Sequence, residues 1–492
     1  MQGDLSLLLP VAAPLAAGLL VLFVRAFDER RTRNLFTGAA LALTVLLTLP
    51  TLLRGETQLT LFHLTDTIPV VLRTDGVARL FLVLIAFVWA MVGFYSFEYM
   101  AHEQHERRFY GFYLLTLAAL MGLSLSGTLV TLYMFYEAMT LLSLPLVLHT
   151  QTREAVAAGV KYLLYSVFGA SLALLGIFFL QFYCTSLSFT PGGTLDALKA
   201  AGHEPLLLGI VALALLGFGV KAGMFPLHAW LPTAHPVAPS PASAVLSGII
   251  TKAGVLGILR IVFFLVGPDF LRGTWVQALF LGLTVLTVFL GSMLAFKETL
   301  LKKRLAYSTV SQVSYVLFGL FTLTPVGFVG ALLHVVCHAL IKNTLFMGAG
   351  AIIEKTGKTR VDELVGIGKR MPIVMWCFTL CAVALIGIPP TGGFVSKWFL
   401  AEGALSMGGI VYAWLGPVVL LVSALLTAGY LLPISTRGFF PGEHADLAAL
   451  SKAEPTALMT VPMLVLAALC VLLGMFPGAL TSFLQAIAGG VL

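Results

Sequence analysis

Runs of about 20 apolar residues, the length that carries a helix across a bilayer, recur from one end of this chain to the other. They begin near Leu5, Asn34, Gly76, Phe109, Leu129, Ala157, Leu206, Ser240, Thr274, Lys303, Val326, Met371, Ile410 and Pro455. The pattern predicts an all-α polytopic membrane protein with about fourteen transmembrane helices. Composition agrees, because only 10% of the residues are charged and 59% are hydrophobic. A soluble globule carries about a quarter charged residues, so this chain lacks the polar surface to cover itself in water.

The net charge of +7 does not mark a nucleic-acid binder, because no basic patch is interleaved with aromatic residues. Most Lys and Arg instead fall in short loops between apolar runs. With the N-terminus outside, basic residues favour the inside loops by roughly four to one, which orients the chain. An even number of spans then leaves both termini outside, with an inner (cytoplasmic) membrane as the expected location. Met1 to Asp4 carries no positive segment, and the long run Leu5 to Val24 is followed by Arg25 to Arg33. An uncleaved spanning helix is expected there. The stretch Gln58 to Arg73 alternates around Asp66 and predicts a small extramembrane hairpin. Cys184, Cys337, Cys377, Cys381 and Cys470 lie in apolar stretches without C-x-x-C spacing. With no glycine-rich nucleotide loop or P-loop, no cofactor and no metal of the chain's own is expected.

Two spans are interrupted alike. The seventh reads GFGVKAGMFPLHAWLP around Pro226, and the twelfth reads IGIPPTGGFVSKWF around Pro389 and Pro390. Proline removes a backbone donor and clashes with the preceding turn. The freed backbone must then be buried in protein or line a wet cavity. The breaks are five spans apart, and five is odd, so the second unit would return upside down, as in many transporters. The expected organisation is residues 1–108 for helices 1–3 and the hairpin, and 109–265 for a first inverted repeat of helices 4–8. Residues 266–436 would form the second repeat, helices 9–13, and 437–492 helix 14.

Ionisable residues inside such runs are costly, about 3 kcal/mol each on insertion scales. Glu137, Lys221, Lys252, Lys342 and Lys397 must therefore face the bundle interior. Glu137 and Lys221 are expected to pair, either as a switch in which the carboxylate's distance sets the lysine's proton affinity or as a fixed structural ion pair. His334, His338 and Lys342 stand at i, i+4 and i+8 and form a ladder on one helix face. Steps of about 6 Å along it suit proton relay; satisfied core histidines, or ligands to a metal or haem, are the other readings. Lys397 follows the second break, as an outlet or as a helix-end stabiliser. His228, His235 and Lys161 are candidates for an inside channel mouth. Arg260 and Lys161 lie near span ends, where snorkelling to the interface would explain them.

The segments YEAMTLLSLPLV, GVKAGMFPLHAWLPTAHPVAPSPASAVLSGIITKAGVLGILR, KKRLAYSTVSQVSYVLFGL, LLHVVCHALIKNTLFMGAGAIIEKTG and GIPPTGGFVSKWF resemble the antiporter-like subunits of respiratory complex I and of Mrp cation/proton antiporters. Energy-converting membrane-bound hydrogenases contain similar subunits. The resemblance covers roughly residues 76–430. It implies fourteen helices in two inverted five-helix repeats. It also implies a proton path through Glu137, Lys221, Lys252, His334 or His338, and Lys397. The middle complex I member usually carries glutamate at the last position, so Lys397 points to the D member of the Mrp antiporters, its hydrogenase counterparts or the innermost complex I member. The longest member has a C-terminal lateral helix that this chain is too short to include. The expected function is proton translocation, with sodium exchange left open, as one membrane subunit of a hetero-oligomeric complex with no redox site of its own. A self-sufficient cation/proton transporter and a haem- or quinone-binding redox protein are the rival readings.

Overall fold

The computed structural model describes residues 2–409, 411–442 and 453–492; Ile410, where the thirteenth apolar run begins, and the loop residue Lys452 lie outside these. The longer helices are α1 (Leu9–Phe23), α2 (Arg30–Thr48), α3 (Gly76–Tyr99), α4 (Glu106–Ser124), α5 (Leu129–Val147), α6 (Arg153–Tyr183), α7 (Glu204–Ala222) and α8 (Ser240–Val266). They continue as α9 (Trp275–Lys297), α10 (Leu301–Phe321), α11 (Pro325–Thr356), α12 (Pro372–Ile386), α13 (Gly392–Leu405), α14 (Val411–Phe439), α15 (Ala457–Met475) and α16 (Gly478–Val491). Among the described residues, eleven helices are long and apolar enough to cross a membrane. Helices α4 and α10 have the length, 19 and 21 residues, but open on the charged triplets ERR and, after Leu301, KKR. The last apolar stretch is two helices, α15 and α16, rather than one span.

Local sequence explains the starts. Asp75, Thr128, Thr152, Thr274 and Thr324 sit at N-caps, and each side chain accepts a hydrogen bond from a first-turn N–H. The expected hairpin is present. Strands β2 (Gln58–Thr65) and β3 (Ile68–Arg73) pair antiparallel, and β1 (Gln2–Gly3) adds an edge strand that the sequence did not announce.

Both predicted breaks are real. Helix α7 ends at Gly223, whose φ of +75° favours a residue without Cβ. The chain then turns through Pro226 and forms a short helix, Leu231–Val237, before α8. Helix α12 ends at Gly387 (φ +94°), and α13 begins five residues later at Gly392.

Burial sorts the helices into centre and rim. The most apolar window of α8 is 100% buried and that of α11 89%, against 39% in α1, α6, α14 and α15. Lipid gives apolar helices no hydrophobic reason to associate, so close packing must hold the centre together. Glycines supply it: a Cβ on Gly169 of α6 would lie 2.6 Å from the Gly217 oxygen of α7, and one on Gly217 would lie 2.4 Å from the Gly169 oxygen. Helix α8 contains two π-turns, Leu246–Ile250 and Val262–Val266, a feature that often marks a functional helix.

Candidate functional site: a buried lysine and histidine axis

Helix α11 carries the ladder, and its three polar rungs are buried to within 1%. His338 Nδ1 lies 2.5 Å from Lys252 Nζ of α8, so the two helices share one short hydrogen bond. The π-turn positions that lysine: the Thr251 N–H reaches back to Leu246, while the Ser247 carbonyl accepts from Lys252 Nζ at 2.8 Å and from the Thr251 hydroxyl at 2.9 Å. One turn along, the His334 ring stands 6.0 Å from the His338 ring. His334 is bonded at both nitrogens, with Nε2 3.2 Å from Gln312 Oε1 and Nδ1 2.9 Å from the Ser396 hydroxyl, which also donates to the Gly393 carbonyl at 3.0 Å. His338 Nε2 is buried without a partner. Lys342, the third rung, turns toward α10 and donates to the Leu305 carbonyl at 3.0 Å and to the Ser308 hydroxyl.

Ser396 brings the line to α13. Its neighbour Lys397 donates to the carbonyls of Leu385 (2.6 Å) and Ile386 (3.0 Å). These belong to the last turn of α12, where the helix dipole favours a cation. The same ammonium lies 4.9 Å from the Tyr315 ring, which stacks on His334 at 5.5 Å. Helix-end stabiliser and neighbour of the histidine line are therefore one position.

Lys221 and Glu137 do not form the expected ion pair. Tyr162 and Ser166, four apart on α6, reach Lys221 first and accept from its ammonium at 3.0 and 2.8 Å. The Tyr162 ring also faces that ammonium, at 4.4 Å. Glu137 interacts with Lys221 only through space, and its Oε1 is buried without a hydrogen bond. It lies half-buried on α5 between Met134 and Leu141, both exposed, so it sits on the rim of the molecule.

The mouth candidates divide. Lys161 donates to Thr233 at 3.0 Å and ties α6 to the short helix after the first break. His228 is half-buried and stacks on Phe225. His235 is fully buried against Phe346, with neither ring nitrogen hydrogen-bonded. Beside it opens a cavity of about 350 Å³ lined by Glu103, Lys302, Tyr99 and Pro236. Burial pushes the Glu103 carboxyl above the usual range, and the Lys302 ammonium partly offsets this. Lys302 itself donates to the Ala238 carbonyl.

Snorkelling does not describe Arg260. Its guanidinium is 1% exposed and forms a two-point pair with Asp75, at 2.6 and 2.9 Å, between the rings of Phe189 and Phe264. The partners Tyr162, Ser166, Gln312, Ser396 and Asp75 carried no distinctive signal in the sequence. Among the described residues, no group of three or more His, Cys, Asp or Glu gathers where a metal ion would sit.

A broken-helix bundle with ammonium and imidazole groups joined along its centre belongs to a known class. The family model described as NADH:quinone oxidoreductase/Mrp antiporter, transmembrane, matches residues 126–427, and one for the N-terminus of complex I chain 5 matches residues 63–110. The chain is 33% identical over 491 residues to NADH-quinone oxidoreductase subunit N of Desulforudis audaxviator, covering 96% of this chain and 94% of that one. It is 30% identical over 444 residues to the D member of the Na(+)/H(+) antiporter of Bacillus subtilis, covering 89% and 87%. The fold matches a chain of the Mrp complex from Dietzia sp. DQ12-45-1b with a TM-score of 0.86 at 23% identity, over 99% of this chain and 98% of that one. The chain belongs to the NADH:quinone oxidoreductase/Mrp antiporter membrane-subunit family.

Proposed function

We propose that the chain is a proton-translocating, antiporter-like subunit of a multi-subunit membrane complex. Protons move along the line Lys252, His338, His334, Ser396 and Lys397. The observation that carries this is the pair of interhelical contacts on successive rungs of α11, Lys252 with His338 and His334 with Ser396, with Lys397 next in sequence to Ser396 on α13. A proton added to Lys252 is shared with His338 across 2.5 Å. Imidazole then passes charge between its two nitrogens, and water beside the unpartnered His338 Nε2 would bridge the 6.0 Å step to His334. The cavity at Glu103 and Lys302 serves as the inlet, with His235 between it and Lys342. Lys221, with Glu137 behind it, sets the charge at the other end of the axis.

Fourteen spans, an inner-membrane location and termini on the outer side complete the reading, with residues 109–265 and 266–436 as the two inverted repeats. The two breaks, each with a lysine at a helix end, support that division. Partner subunits are supported by Glu137, since a carboxylate on a rim facing lipid is costly and a neighbouring subunit would cover it. The named relatives, one from a quinone oxidoreductase and one from a sodium/proton antiporter, point the same way. Sodium exchange is the variant that the antiporter relative raises.

The test is proton uptake into liposomes holding the purified complex. His338→Leu and Lys252→Met should each lower uptake at least about a hundredfold, the low end of what a positioned proton-transfer group contributes, with the complex still eluting intact. Uptake at the parental rate in either variant would refute the path.

A further inference from the structure

Arg79, one turn into α3, has no role in the proton line and no partner among the described residues. Its Nε and Nη2 are buried without a hydrogen bond, and no described carboxylate pairs with it. The other nearby charges cancel, since Arg73 pairs with Glu56 at 2.8 Å and Arg260 with Asp75 at 2.6 Å. Of the three arginines Arg73, Arg79 and Arg260, Arg79 is therefore the one without a paired carboxylate.

Two cavities meet at Arg79. The first, about 390 Å³, lies beside the hairpin and is lined by Glu56, Arg73, Asp75 and Phe483. The second, about 360 Å³, runs inward and, apart from Arg79, is walled by apolar side chains including Leu84, Phe87, Val336, Leu340, Leu473 and Phe483. Water needs two or more polar partners to occupy such a space, and the inner cavity offers only the guanidinium. Arg79 lies about 5 Å in from the start of α3, near a helix end, where a long cationic side chain can reach the headgroup layer. Val336 and Leu340 stand two residues on from His334 and His338, about 200° round the helix. The inner cavity therefore backs onto the ladder helix on the side opposite its polar rungs.

We propose that this is a structural phospholipid site, with the phosphate held by Arg79 and one acyl chain filling the cavity behind α11. A phosphodiester supplies the acceptors that Nε and Nη2 of this half-buried arginine lack, and the chain replaces the missing packing on the back of the ladder. The site stands whatever ion the ladder carries.

The experiment is native mass spectrometry, with a thermal-shift assay, on the delipidated complex containing the full chain. Dioleoylphosphatidylglycerol is compared with dioleoylglycerol, which has the same tails and no phosphate. The parental protein should retain one tight phosphatidylglycerol and bind dioleoylglycerol at least about tenfold more weakly, the worth of a charge-assisted hydrogen bond. Arg79→Gln should erase that preference. Leu84→Trp fills the cavity and leaves the guanidinium, so it should weaken both lipids. Equal binding of the two lipids by the parental protein, or an undiminished preference in Arg79→Gln, would overturn the site; the latter would mean that a neighbouring subunit's acid holds the arginine.

Discussion

A guanidinium withdrawn from both water and headgroups, as Arg260 is, persists only beside a fixed opposite charge. Asp75 provides it while also capping α3 through the Ala78 N–H at 2.8 Å. One carboxylate thus joins the start of α3 to the end of α8, 185 residues away in sequence. Burial alone would push the Asp75 carboxyl up, but Arg260 and the cap hold it below its ordinary value of 3.8. A depressed carboxyl contributes stability that is present above the unfolded value and lost as pH falls through the folded one. The pair's contribution should therefore be full at neutral pH, begin to decline below about pH 4, and vanish only at the lower pH where the folded carboxyl takes up a proton. Asp75→Asn should cost roughly 3–5 kcal/mol, since it strands a buried cation. Arg272→Gln, at the exposed pair with Asp269, should cost under about 1 kcal/mol. Thermal midpoints of the two variants in detergent at pH 7 check this, and equal midpoints would refute the role of Asp75. The ionisable candidates on α7, α8, α11 and α13 were legible because a lysine or histidine in an apolar run is anomalous. Their partners were not, because hydroxyl and amide residues are ordinary in membrane helices. Asp75 reads as a loop residue until the fold carries Arg260 to it.

At the scale of elements, the axis depends on how closely α7 and α8 approach. A Cβ on Gly254 of α8 would lie 2.4 Å from the Phe218 oxygen and 2.7 Å from the Ala222 nitrogen, both backbone atoms of α7. Backbone cannot step aside, so any side chain here drives the helices apart and moves Lys221 and Lys252 relative to each other. Gly254→Val should destabilise the chain by about 1–3 kcal/mol, the usual penalty of overpacking, and should lower transport in the folded fraction. A midpoint and a transport rate unchanged from the parent would show that the close approach is dispensable. The sequence placed the starts of α3, α5 and α8 at Gly76, Leu129 and Ser240, because aspartate, threonine or proline punctuates an apolar run there. It did not separate α15 from α16, because Phe476 and Pro477 interrupt a run that stays apolar on both sides. Strand β1 was equally hidden, since two residues carry no period and pair only with β2.

For the molecule as a whole, the distribution of charge predicts which face meets which compartment. The hairpin β2–β3 and the loop between α3 and α4 lie at opposite ends of α3, a helix of 24 residues, about 36 Å long and sufficient to cross the hydrocarbon core. Basic residues crowd the α3–α4 side, where Arg30 and Arg33 both bond to Glu106, so that side should face the cytoplasm. The native cysteines Cys184, Cys337, Cys377, Cys381 and Cys470 are all free and buried, so a cysteine introduced at an exposed position reports its own side. Thr67 in the hairpin turn and Gln104 in the α3–α4 loop are both exposed. In intact cells, a membrane-impermeant maleimide should label Thr67→Cys, and should label Gln104→Cys only after permeabilisation. The reversed pattern would invert the proposed topology, and with it the direction in which the cavity at Glu103 serves as an inlet. Labelling of both positions from one side would mean that α3 does not cross the membrane, and the count of fourteen spans would fall with it.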